Sequence, residues 1–123
     1  MIKAEFYICA DKLDFDEIAS LVNGEGKVMR SEEIKVLEFR KDYWSIETEY
    51  VDTEDVSIIL DMISEKVSAE ISELKYLINK NKAECGFNIV IKSEDSIYVP
   101  MHLEKNFVKL AAELNANIGI DLI

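Results

Sequence analysis

Residues 2–10 alternate, with Ile2, Ala4, Phe6, Ile8 and Ala10 on one side and Lys3, Glu5, Tyr7 and Cys9 on the other. A period of two predicts a half-buried strand. A helix start follows. Asp14 is placed to cap it, Glu17 stands three residues on as in a capping box, and Leu13 and Ile18 sit where a hydrophobic staple would. Ile18, Leu21 and Val22 form a short apolar face, and Asn23-Gly24 supplies the stop. Residues 25–33 are polar and predict a loop. Residues 34–40 and 43–50 predict a hairpin with Arg40-Lys41-Asp42 near its turn, and a phase slip at Val36-Leu37 predicts a bulge. Trp44, Ile46, Thr48 and Tyr50 share one face of the second strand; Tyr43, Ser45, Glu47 and Glu49 share the other.

Residues 53–80 are helical in pattern. Val56, Leu60, Ile63, Val67, Ile71, Leu74 and Ile78 recur every three or four positions. One straight helix of that length would run roughly 42 Å, and a domain of this size is about 35 Å across. A break near residues 66–68 is therefore expected, with Ser68 capping a second helix. Residues 85–92 predict a strand, and 97–99 a short one ended by Pro100. Leu103, Phe107, Leu110, Ala111 and Leu114 predict a helix, closed by Asn115-Ala116-Asn117, and 118–123 alternate as a last strand. The order β-α-β-β-α-α-β-β-α-β predicts an α+β fold, a single mixed β-sheet with helices packed on it. Phe6, Trp44, Ile89 and Ile120 are expected to meet those helices. The first and last thirds each read strand, helix, strand, a faint hint of duplication.

Composition narrows the field. With 123 residues, 49% of them apolar, the chain fits one domain with a real core. Its formal net charge of −11 argues against nucleic acid, whose binding needs clustered Lys and Arg, and against a helix resting on anionic lipid. No run of about 18 apolar residues predicts a membrane span. The strand pattern starts at residue 2, so no signal peptide is expected. Cys9 and Cys85 lie far apart in apolar runs and read as reduced thiols of a cytoplasmic protein.

The opening EFYICADKLDFDEIASLV, the tryptophan of YWSIET and the ending LAAELNANIGIDLI resemble the bacterial family known as domain of unknown function 4279. The shared features are spaced apolar positions, Trp44, and an acid in the last strand, here Asp121. The resemblance spans nearly the whole chain. It implies one cytoplasmic domain and no particular reaction. Some small domains of this general kind serve as immunity proteins beside secreted toxins.

No catalytic motif stands out. His102 is the only histidine, so any Ser-His-Asp or Cys-His site would have to use it. Cys9, Cys85 and His102 lack zinc-ligand spacing. Asp11, Asp14, Asp16 and Glu17 fail the EF-hand template, because its glycine position holds Asp16 and its final glutamate position holds Val22. Gly24-Glu25-Gly26-Lys27 is too short for a phosphate loop and follows a helix. No cofactor or metal is expected.

Charge is the sharper signal. Lys41 and Lys66 bracket a stretch with no basic residue and eight acids: Asp42, Glu47, Glu49, Asp52, Glu54, Asp55, Asp61 and Glu65. Residues 1–61 hold seven bases against sixteen acids; residues 62–123 hold seven against nine. One-signed fields steer oppositely charged partners. The favoured reading is a non-enzymatic module that docks a basic protein through the 43–55 region, using Tyr43, Glu47, Glu49, Asp52, Glu54 and Asp55. Its concrete form is an immunity protein facing a cationic toxin. Two rivals stand: a small-ligand protein or enzyme with a pocket near Tyr7, Trp44 and Asp121, and a structural homodimer.

Overall fold

The computed structural model describes residues 1–21, 26–30, 41–92 and 101–123. Its elements are β1 (Ile2–Ala10), α1 (Phe15–Leu21), β2 (Lys27–Met29), β3 (Asp42–Glu47), α2 (Val56–Ser68), α3 (Ile71–Lys80), β4 (Glu84–Ile91), α4 (Lys105–Leu114) and β5 (Asn117–Leu122). They follow the expected order. The expected strands at 34–40, with its bulge, and at 97–99, and the helix stop at Asn23-Gly24, lie outside the described residues.

The five strands form one mixed sheet in the order β2-β3-β1-β4-β5. β1 is central and antiparallel to both β3 and β4; β4 and β5 are parallel neighbours joined through α4. β1 and β2, by contrast, have β3 between them. The second strand of the first expected unit, 34–40, lies outside the described residues.

The even-numbered residues of β1 are all buried and the odd-numbered ones half-buried, as strict alternation requires. Phe6 sits at the centre of the core. Its ring meets Trp44 at 6.5 Å and Phe87 at 5.0 Å, and Phe87 meets Phe107 of α4 at 5.0 Å. Val56, Ile59, Leu60, Ile63 and Val67 bring α2 onto this face. Asp14 caps α1 as expected, its Oδ1 accepting the Glu17 N–H at 3.1 Å.

Four expectations need correction. The stretch read as a polar loop contains β2, which pairs Val28 with Trp44. Its three residues are all exposed, so no apolar alternation marked it. Gly26 precedes it at φ 120°, with the Trp44 indole where a Cβ would stand, and both facts select glycine. Residues 53–80 do form two helices, but the break falls at Ala69 and Glu70. Ser68 does not cap α3; its hydroxyl donates back to the Ser64 carbonyl at 2.7 Å.

The third correction concerns Tyr50. Thr48 still pairs with Ala4, yet Val51 pairs with Ile2, so one extra residue stands opposite Lys3. That slip behaves as a bulge and turns Tyr50 to the face opposite Trp44. Lys3 Nζ lies 5.0 Å from the Tyr50 ring centroid. Lastly, Ile120 pairs with Ile89 and shares its face, but it is 48% exposed. Phe6, Trp44 and Ile89 are buried as expected. The register is right; the helices do not reach over the edge strand.

Candidate functional site

The odd-numbered residues of β1 lie on the sheet face turned away from the core. Here a polar layer forms. Glu5 Oε1 accepts from the Tyr43 hydroxyl at 2.6 Å and from Asn88 Nδ2 at 3.2 Å. The rings of Tyr7 and Tyr43 stack 5.5 Å apart at 12°. Tyr7 lies across Gly86, where a Cβ would come within 2.5 Å of its hydroxyl oxygen. The Asn117 side chain acts against the rise that burial gives its phenol. Burial first, then the Glu5 carboxylate, hold the Tyr43 phenol far above its ordinary pKa, so it remains a donor. Burial raises Tyr7 as well.

Glu47 belongs to the same face, and two lysines compensate its charge. Lys27 Nζ sits 2.6 Å from its Oε1 and Lys3 Nζ 3.2 Å from its Oε2. The two lysines come from β2 and β1, which pair with β3 on its two sides. The Lys27 hydrogen bond lowers the Glu47 pKa from 4.5, with Lys3 adding to it against burial. A depressed carboxylate contributes stability above its unfolded pKa and loses it as pH falls through the folded one. Glu47→Gln should therefore flatten the loss of stability on the acid side of about pH 4.5. Glu47→Lys should cost about 1 kcal/mol, whereas Glu49→Lys should stay within about 0.5 kcal/mol. Urea melts from pH 3 to 7 check both statements.

The six residues expected to bind a partner do not make one patch. Tyr43 and Glu47 lie on the polar face. Glu49, Asp52, Glu54 and Asp55 are exposed along the connection into α2. Asp55 caps α2, its Oδ1 accepting from the Ser57 N–H at 3.0 Å and the Ser57 hydroxyl at 2.6 Å. The acidic run then continues down the exposed side of α2 through Asp61 and Glu65, beside Ile58 (46% exposed) and Met62 (38%). Positions 58, 61, 62 and 65 form one helical stripe, with Glu54 just ahead of the helix. Ile58 and Met62 were legible as apolar residues off the core-facing series, and the sequence reading passed over them.

The pocket expected near Tyr7, Trp44 and Asp121 does not form, because the three do not converge. Trp44 is buried in the core, opposite Tyr7, and Asp121 is exposed two rows along the sheet. A different cleft, about 300 Å³, lies at the ends of α3 and α4 and is lined by Asn79, Glu84, Cys85, Asn115 and Asn117. Asn117, which lines it, pairs with Gly86, the strand partner of Tyr7. Among the described residues, no group of three or more His, Cys, Asp or Glu side chains is placed to hold a metal ion. His102 is exposed ahead of α4.

Both cysteines are free. Cys9 pairs with Glu84, and Cys85 pairs with Ile8, so the two thiols leave opposite faces of the sheet and cannot bridge. Burial, then the neighbouring Cys9, push the Cys85 thiol up to about 11; burial and Glu84 raise Cys9. Neither offers a ready thiolate near neutral pH. Denatured, unreduced protein should titrate two thiols. In the native state Cys9, half-buried, should react before Cys85, whose Sγ donates to the Leu114 carbonyl at 3.4 Å. A count of zero would contradict this pairing.

No helix among the described residues is long and apolar enough to cross a membrane. No curated protein and no solved structure matches the chain. Sheet, helices and polar face together are the structure of a sequence matched from residue 1 to residue 123 by one family model, and the chain belongs to that family, described as domain of unknown function (DUF4279).

Proposed function

We propose that this is a non-enzymatic protein-binding module that captures a basic protein. The observation that carries the reading is the α2 stripe: exposed Ile58 and Met62 beside Asp61 and Glu65, with exposed Glu54 just ahead of the helix. Apolar anchors beside a mostly acidic rim, with Lys66 as its basic residue in the last turn of α2, supply affinity and steering together. Glu49, Asp52 and Asp55 extend the rim toward β3. Glu47 is excluded from the contact set, since its charge is spent on Lys3 and Lys27. Tyr43 is excluded too, because it stacks on the other side of the sheet. The concrete form is a cytoplasmic immunity protein whose carboxylates stand where a toxin nuclease would bind phosphates.

Affinity capture at low and at moderate salt tests this reading. Wild type should retain a basic protein at low salt and release it as salt rises. Asp61→Lys with Glu65→Lys should retain none. Retention of no basic protein at low salt overturns the reading.

A second reading rests on the cleft beside Asn117. Its amides and Glu84 favour a small polar ligand. Binding there would survive the α2 substitutions and be lost on Asn117→Leu.

A further inference from the structure

We propose that β5 pairs with β5 of a second copy of this chain, joining two sheets across a two-fold axis. β5 is the last strand of the sheet, and among the described residues nothing is paired beyond it. The Ile123 N–H donates to the Ile91 carbonyl at 3.0 Å, so the odd-numbered residues of this strand turn their backbone groups toward β4. Those of Ile118, Ile120 and Leu122 turn outward. The same three side chains are 38%, 48% and 75% exposed, on the face that in β4 is covered by helices. A long apolar edge of this kind is a template for another strand.

The occupant follows from the register. An antiparallel two-fold pairing centred on Ile120 sets Ile118 against Leu122 of the other copy, and Ile120 against itself. All three outward residues then exchange hydrogen bonds, six in total by the antiparallel pattern. Asp121 falls opposite Gly119, so no like charges meet. Centring on Gly119 leaves Leu122 unpaired with any outward residue of the strand, and centring on Asp121 opposes two carboxylates. The strand is thus self-complementary, as an isologous interface requires. The opposite edge does not compete. β2 is three residues long, and it carries Lys27, held by Glu47.

One strand pair gives an interface near or below the roughly 1,200 Å² total at the low end of specific complexes. The dimer should therefore be concentration-dependent, in the micromolar range. Each copy carries −11, so screening should favour it, whereas salt should weaken capture of a basic partner through α2. The two proposals fail independently.

Sedimentation of the full chain over a concentration series reads the outcome. Wild type should pass from monomer to dimer, more readily at higher salt. Ile120→Lys should stay monomeric across the same range with an unchanged urea midpoint, since the position is exposed. Under oxidation Ile120→Cys should cross-link to a covalent dimer at least tenfold faster than Leu122→Cys, because only position 120 faces its own copy. Wild type that stays monomeric throughout, or equal cross-linking at 120 and 122, overturns the proposal.

Discussion

Phe6→Ala is expected to cost about 3–5 kcal/mol of stability. Phe6 lies on the central strand, has no exposed surface, and touches the rings of both flanking strands. Removing it opens a cavity between Trp44 and Phe87. Phe87 is in turn the contact to Phe107, so the gap loosens the seat of α4. Domains of this size have about 5–15 kcal/mol in all, so the variant should lose a large share of its stability. The measurement is a urea melt, read for a lower midpoint at unchanged slope. A loss under about 1 kcal/mol would mean that Phe6 is not at the centre of the core.

Gly86→Ala is expected to cost about 1–3 kcal/mol, as overpacking does. The added methyl would stand 2.5–2.7 Å from three atoms of the Tyr7 side chain. Tyr7 is not free to swing clear without loss, because it is stacked on Tyr43. Glycine inside a strand often marks such a close approach. The readouts are the urea midpoint and the near-ultraviolet tyrosine signal, which should both change. A variant as stable as wild type with the same signal would show that Tyr7 does not cover Gly86.

The parts of the fold legible in the sequence are those whose signal is local. β1 announces itself because a half-buried strand must alternate, and α2 and α3 because a helix against a sheet must repeat every three to four residues. What escaped depends on pairing. Nothing in Lys27-Val28-Met29 marks a strand until β3 lies beside it. Tyr50 changes face because of one extra residue between two bridges, Thr48 to Ala4 and Val51 to Ile2. Ile120 has the expected parity, but its exposure depends on how far the helices reach.

The candidate site divides in the same way. The excess of acid around α2 is a property of composition and was readable. The neutralisation of Glu47 was not, since Lys3 and Lys27 stand 44 and 20 residues away in sequence. Glu5 was read only as one polar position in an alternating strand. Its place between Tyr43 and Asn88 exists only once three strands are in register.

The most direct measurement is the association rate of the captured basic partner, followed by stopped flow over a salt series. Wild type and the Asp61→Lys, Glu65→Lys variant should be compared, with urea melts showing both folded. Wild type should associate rapidly at low salt, and its rate should fall steeply as salt rises. The variant should associate at least tenfold more slowly at low salt and show little salt dependence. Equal rates for the two proteins across the series would contradict an acidic docking surface on α2.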